Sequence, residues 1–194
     1  MVPSYAGEKG VDPARETETL AEVTVEVGTN RWAGVPFTLR SGKALGTARK
    51  EIVIKFKPLR HLPSGLHGGR DGETLRIGLN PGELSLSVPA LGVDGPYTMG
   101  QVFLDATLPS SSVLPYGEVL NGILRGDPLL SVRGDVAERC WEIVEPVLDA
   151  WAAEKAVFPN YYSGSYGPQA ADALVARNGN RIWRPVELPT EKKS

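Results

Sequence analysis

The sequence predicts an α+β fold, in which a large and mostly antiparallel sheet has helices packed on one face. Apolar residues recur at every second position in five short segments between residues 20 and 88, and Val102-Phe103-Leu104 can form a sixth short strand. Helical spacing begins only at about residue 115. Short turns join the six segments, which favours antiparallel pairing because parallel strands need long crossover connections. The 22 glycines and 16 prolines also favour a turn-rich sheet over a helical bundle.

Each predicted strand has an apolar residue at every second position. Five of the strands cover residues 20–27, 52–56, 75–79, 84–88 and 102–104. Turn signals separate them, and Asn80-Pro81-Gly82 is the strongest of these signals.

The remaining strand, in residues 30–43, has features that a plain strand does not need. Val35, Phe37 and Leu39 give it one apolar side, and Ser41-Gly42 should end it because glycine tolerates a positive φ. Lys43 follows directly, so a cation stands at the tip of a rigid element. This position suits the binding of an anionic or polyhydroxy ligand, whereas the alternative is an edge strand with a solvated lysine.

Helical spacing predicts two helices and a third short one. The first covers residues 115–124 and ends at Gly126. The second begins at Asp135, which we expect to be an N-cap, and Pro146 should kink or divide it. The third covers residues 170–176.

Length and composition bound the class of protein. The 194 residues suit a flexible segment at 1–16, one domain at 17–184 and a flexible tail at 185–194. A formal charge of −2 with mixed signs argues against nucleic-acid binding. No signal peptide and no apolar run of about 18 residues occurs, so we expect a cytoplasmic protein that does not bind membranes. The single cysteine, Cys140, excludes an internal disulfide and suits a small core residue in the second helix.

Several motifs for enzyme chemistry are missing from the sequence. It has no Gly-x-Gly-x-x-Gly turn for a dinucleotide, no phosphate loop at Lys43 and no Gly-x-Ser-x-Gly elbow. His61 and His67 stand in a Gly/Pro-rich loop without the carboxylates of a zinc site, and solvated histidines are the expected outcome. We therefore predict no metal site and find no convincing general base.

Four basic residues near the end of the second strand could converge on one anion. They are Arg40, Lys43, Arg49 and Lys50. Two or three cationic donors hold a phosphate well, but an ordinary solvated strand end explains the same residues equally well.

Further motifs occur in order along the chain. They are Thr17-Glu18-Thr19, Arg31-Trp32-Ala33-Gly34-Val35-Pro36-Phe37, Leu39-Arg40-Ser41-Gly42-Lys43, Glu51-Ile52-Val53-Ile54-Lys55-Phe56-Lys57, Arg125-Gly126-Asp127 and Tyr162-Ser163-Gly164-Ser165-Tyr166-Gly167-Pro168. Together they resemble the C-terminal domain of the glucose-6-phosphate dehydrogenases, and the resemblance extends over nearly the whole chain.

The resemblance implies a function that this chain supplies only in part. The family oxidises carbon 1 of glucose 6-phosphate by hydride transfer to NADP or NAD, and its coenzyme domain and catalytic histidine precede the region that this chain matches. The resemblance therefore implies a substrate-binding domain that forms a homodimer through its sheet and needs a separate coenzyme-binding domain for NADP. Lys43 matches the family lysine that contacts the sugar phosphate, while Arg40 matches an arginine that touches a second NADP in some members, a site we do not carry over.

Two departures from the family pattern affect the predicted site. Ala48 stands where the family usually has a second basic residue, and Arg49 or Lys50 could replace it. Asn80 stands in place of a glutamine and is shorter by about one methylene. The predicted substrate-binding residues are therefore Lys43, Arg49, Lys50 and Asn80.

Three hypotheses follow. The first is the C-terminal domain of a glucose-6-phosphate dehydrogenase, as a fragment or the product of a split gene, inactive on its own. The second is a non-catalytic dimeric module that binds a sugar phosphate or a partner. The third is a degenerate remnant without a ligand.

Overall fold

The structure, a computed structural model, describes residues 5–68, 72–80, 82–93, 95–109, 113–154 and 160–168. The chain divides into two compact units, one formed by Met1–Ala48 with Asp149–Ser194 and the other by Arg49–Leu148. Strands in two sheets, together with two α-helices, confirm the α+β class. The predicted helix at 170–176 and the tail at 185–194 lie outside the described residues.

The first unit contains a two-stranded sheet. Strand β1 (Leu20–Glu26) pairs antiparallel with β2 (Pro36–Gly42), from Leu20 opposite Gly42 to Glu26 opposite Pro36. Two short 3-10 turns, Tyr5–Gly7 and Pro13–Arg15, precede it in the predicted flexible segment. Both strands agree with the alternation of apolar residues in the sequence.

The end of β2 differs from the prediction in its backbone. Gly42 is the last residue of the strand and does not have a positive φ, whereas Ala44 has a φ of 51°. The expectation that Gly42 supplies the left-handed turn is therefore wrong. The reversal falls two residues later, on a residue whose Cβ makes that conformation costly.

The second unit contains a five-stranded sheet in the order β3-β5-β6-β7-β4. Its strands are β3 (Lys50–Lys55), β4 (His67–Gly68), β5 (Thr74–Asn80), β6 (Gly82–Leu91) and β7 (Thr98–Thr107). The pairs are antiparallel except β4 with β7, which is parallel. A two-residue strand has too few positions to show alternation, so the sequence did not predict β4. The ten residues of β7 also extend well beyond the predicted 102–104.

The five-stranded sheet has one apolar and one more polar face. The face that we call the apolar sheet face carries Ile52, Ile54, Leu75, Ile77, Leu84, Leu86 and Leu104. Leu104 is 56% exposed on it, and no apolar side chain in the described ranges counts as core. The opposite face buries Arg76 and Ser85 instead. In the single chain, burial on this sheet thus favours polar side chains over apolar ones.

Two α-helices follow the strands. Helix α1 (Pro115–Arg125) is capped at its C-terminus by Gly126, which has a φ of 70° and ends the helix as predicted. Helix α2 (Gly134–Glu154) continues through Pro146, so the proline does not divide it, and the alternative of a kink stays a prediction. No helix in the described part of the chain has the length and apolarity to cross a bilayer.

Two predictions for α2 are corrected. The helix begins at Gly134, which places Asp135 inside the first turn rather than at the N-cap, and its carboxylate accepts from Arg133 Nη2 at 2.6 Å. Cys140 is exposed and not a core residue, because the apolar side of α2 to which it belongs is itself open within the single chain.

Candidate anion-binding site

The main chain of Lys43 is held from both sides. Its N–H donates to the Thr19 carbonyl oxygen at 2.8 Å, which extends the β1–β2 pairing by one bond. Its carbonyl oxygen accepts from the Tyr161 hydroxyl at 2.8 Å. The backbone position from which the lysine side chain projects is therefore fixed by two hydrogen bonds to different parts of the chain.

The segment Asn160–Pro168 holds the residues that follow Lys43. The Ala44 carbonyl accepts from the Gly164 N–H at 2.8 Å, and the Gly46 N–H donates to the Ser165 carbonyl at 3.0 Å. Gly46 allows this approach, because a Cβ there would lie 2.7 Å from the Gly164 carbonyl oxygen. The left-handed conformation of Ala44 is thus held by hydrogen bonds on both sides of the turn.

The side chain of Lys43 is exposed. Its Nζ lies 5.4 Å from the centroid of the Tyr5 ring, within the range of a cation–π contact. No carboxylate in the described ranges forms an ion pair with it. The ammonium group can therefore donate its hydrogen bonds to an anionic ligand.

Arg40, by contrast, is engaged within the first unit. Its Nη1 lies 3.3 Å from Glu22 Oε2, and its Nη2 donates to the Tyr166 carbonyl. These contacts leave the side chain 14% exposed. Arg40 thus ties β2 to β1 and to the segment 160–168. The convergence of the four cations on one anion stays a prediction.

The other predicted site residues lie in the second unit. Lys50 stands opposite Asn80 in the β3–β5 pair, beside a β-bulge, so the structure brings these two together, and both are exposed. Arg49 precedes β3, and its Nη1 lies 3.8 Å from Glu51 Oε2. That same carboxylate oxygen lies 3.4 Å from Arg76 Nε. Arg49 is therefore already close to a carboxylate, whereas the side chains of Lys50 and Asn80 form no ion pair or hydrogen bond with another side chain in the described ranges.

Two residues around the site were not singled out from the sequence. Tyr161 immediately precedes the Tyr162–Pro168 motif, which was noted for its resemblance and not for a contact with Lys43. Glu51 could have been found from its place in an alternating strand, on the side away from Ile52 and Ile54. Of the two histidines, His67 lies in β4, where its N–H donates to the Tyr97 carbonyl at 2.9 Å.

Comparisons with known proteins give a consistent result. A family model described as "Glucose-6-phosphate dehydrogenase, C-terminal domain" matches residues 1–184. A glucose-6-phosphate 1-dehydrogenase from Gluconobacter oxydans is 38% identical over 186 residues, which cover 92% of this chain and 37% of that protein.

Solved structures agree with the sequence comparison. A crystal structure of glucose-6-phosphate 1-dehydrogenase from Mycobacterium avium has a TM-score of 0.78 at 31% identity, covering 97% of this chain and 40% of that one. A glucose-6-phosphate dehydrogenase in complex with glucose 6-phosphate shares the fold, with a TM-score of 0.78 at 23% identity over 94% of this chain and 38% of that one. The chain thus spans less than half the length of these proteins.

Proposed function

Since this chain belongs to the glucose-6-phosphate dehydrogenase family and matches its C-terminal domain, we propose that it is the substrate-binding and dimerisation part of such an enzyme. The reaction would be oxidation of glucose 6-phosphate to 6-phosphogluconolactone in the pentose phosphate pathway, in the cytoplasm. The observation that carries the proposal is the exposed Lys43 ammonium on a main chain fixed at the end of β2.

Lys43 would bind the phosphate group of the substrate. A phosphate dianion accepts several charge-assisted hydrogen bonds, and an ammonium without an internal carboxylate partner can donate to it at little cost. Lys50 and Asn80 are proposed as further substrate contacts, since both are exposed and stand side by side on β3 and β5. Arg49 is proposed with them, although its approach to Glu51 limits its freedom.

The described residues offer no dinucleotide-binding turn for NADP. A dinucleotide usually binds where a parallel strand leads through a Gly-rich turn into a helix. The described residues contain one parallel pair, β4 with β7, and β4 leads along the chain into β5 rather than into a helix. The sequence also has no Gly-x-Gly-x-x-Gly. A separate coenzyme-binding domain would hold NADP, which as the bound coenzyme would supply the hydride acceptor for carbon 1 of the substrate.

A homodimer is the proposed assembly. The apolar sheet face exposes several large aliphatic side chains, and burying such a surface against a second copy removes it from water. Other segments of a longer protein are the competing cover for this face.

The substrate proposal is tested by titrating the isotopically labelled chain with glucose 6-phosphate and following amide chemical shifts. We expect shifts around Lys43 in the wild type and a loss of affinity of at least tenfold in Lys43→Ala, because the phosphate loses its ammonium partner. Lys9→Ala, which removes an exposed lysine of the same unit, is the control. Equal affinity in wild type and Lys43→Ala would contradict the proposal.

Activity separates the domain proposal from the alternatives. We expect no NADP reduction by the purified chain, and reduction once a coenzyme-binding domain is added. Binding of glucose 6-phosphate without activity in that mixture would favour a non-catalytic sugar-phosphate module, and absence of binding would favour the degenerate remnant.

A further inference from the structure

We infer that Tyr161 is a positioning residue for the substrate site, acting through the carbonyl group of Lys43. The inference rests on the proposed function, since it assumes that the Lys43 ammonium binds the phosphate. Tyr161 stands 118 residues away from Lys43 in the chain. It was assigned no role from the sequence.

The hydroxyl of Tyr161 bridges the main chain just before β1 and just after β2, where Thr19 and Lys43 lie opposite each other. It lies 2.8 Å from the Lys43 carbonyl oxygen and 3.0 Å from the Thr19 carbonyl oxygen. A phenol has one proton, so these two acceptors share it, and the shorter distance favours Lys43. Thr19 Oγ1, at 3.2 Å, is a further acceptor within reach of this proton.

The turn that follows Lys43 needs an external restraint because of Ala44. A non-glycine residue with a φ of 51° is held in a disfavoured conformation, and such conformations persist where surrounding contacts define them. The peptide group between Lys43 and Ala44 contains the carbonyl that Tyr161 binds. The Gly164 N–H binds the next carbonyl, that of Ala44, at 2.8 Å. Without the Tyr161 bond, this peptide group can rotate and change the direction in which the Lys43 side chain leaves the chain.

The test compares two adjacent tyrosines. Tyr161→Phe removes only the hydroxyl, and Tyr162→Phe removes the hydroxyl of a side chain that is 90% exposed. We expect Tyr161→Phe to weaken glucose 6-phosphate binding about three- to tenfold, which corresponds to the loss of one hydrogen bond. Tyr162→Phe should bind as the wild type does.

Two further readouts distinguish positioning from a general loss of structure. Hydrogen exchange at the Lys43 and Gly164 amides should become faster in Tyr161→Phe and stay unchanged in Tyr162→Phe. In a Lys43→Ala background, Tyr161→Phe should not change the residual affinity, because the group that it positions is gone. If Tyr161→Phe does not fold, Thr19→Val, which keeps the side-chain shape and removes the Thr19 hydroxyl that contacts the phenol, should weaken binding in the same direction by about twofold.

The outcomes separate this inference from the proposal on which it rests. Wild-type affinity in Tyr161→Phe, with Lys43→Ala defective, overturns the inference and leaves the proposed function standing. An equal loss of affinity in the Lys43→Ala background also overturns it, since the effect then does not act through Lys43. Absence of glucose 6-phosphate binding by the wild type overturns the proposed function, and with it the binding role of Tyr161. This holds even if hydrogen exchange shows that the bond from Tyr161 to the Lys43 carbonyl protects the nearby amides.

Discussion

The main chain of Lys43 is fixed by hydrogen bonds to Thr19 and Tyr161, two residues that are distant in the sequence. The sequence predicted Lys43 itself, because a cation directly after an alternating strand is visible in a few consecutive letters. It did not predict Tyr161 or Gly164 as partners, because hydrogen bonds across more than a hundred residues leave no local pattern. The same limit applies to the end of β2. The sequence predicted the positive φ at Gly42, because glycine tolerates it, whereas the structure has it at Ala44.

Gly46 provides a stability prediction at this scale. A methyl group there would meet the Gly164 carbonyl oxygen at 2.7 Å, so Gly46→Ala must separate the two segments. We expect a loss of about 2 kcal/mol in the free energy of unfolding, measured by urea denaturation.

Gly28→Ala is the matched control, since a Cβ at that position meets no atom within 4 Å. It should change the unfolding free energy by no more than about 0.5 kcal/mol. Equal effects of the two substitutions would show that the contact between Gly46 and Gly164 contributes nothing to stability.

At the scale of elements, strands were predicted better than the faces they bury. Alternation placed β3 and β5 correctly, since a period of two is a local property of the sequence. It could not show that Glu51 and Arg76 meet on the face opposite the apolar sheet face. That contact depends on the strand register, which sets Val53 opposite Arg76 and Glu51 opposite Gly78. Helix α2 shows the same limit, because capping residues near Asp135 suggested a start that the main chain places at Gly134.

The buried pair of Glu51 and Arg76 gives a prediction for β3 and β5. Their side chains are 7% and 5% exposed, and removing one charge leaves the other in a poorly solvated position. We expect Glu51→Gln to lower the free energy of unfolding by about 3 kcal/mol in a urea titration.

Glu142→Gln is the comparison, because Glu142 pairs with Arg139 on the surface of α2 and is 58% exposed. Its effect should stay below about 0.5 kcal/mol, as is usual for exposed helix pairs. A loss no larger in Glu51→Gln than in Glu142→Gln would contradict the structural role of the buried pair.

At the scale of the whole molecule, the division into two units was not predictable from local patterns. The sequence favoured one domain over 17–184, a prediction that remains open. The first unit is built from both ends of the chain, and a unit of this kind is defined only by long-range contacts such as those of the Asn160–Pro168 segment.

The proposed homodimer, formed through the apolar sheet face, gives a prediction at this scale. Leu104→Lys places a charge on the apolar sheet face, where a second copy would have to desolvate it. We expect sedimentation to show a dimer for the wild type and a dissociation constant raised at least tenfold, at a cost of about 1.4 kcal/mol or more, in this variant.

Leu124→Lys should sediment as the wild type does. Leu124 lies on α1 and is 86% exposed, so Leu124→Lys makes the same leucine-to-lysine change outside the proposed interface and serves as the control. A wild type that sediments as a monomer at all concentrations would refute the homodimer.

The discontinuous first unit has a consequence for how the protein is made. Residues 49–148 leave the ribosome as one continuous piece and can form their hairpins early. Lys43 must wait for Tyr161, 118 residues later, which at ordinary rates of translation takes on the order of ten seconds. During that interval the nascent chain contains Lys43 without the hydrogen bond from Tyr161 to its carbonyl group. Under the proposed function, the substrate site at Lys43 would then be complete only after Tyr161 has left the ribosome.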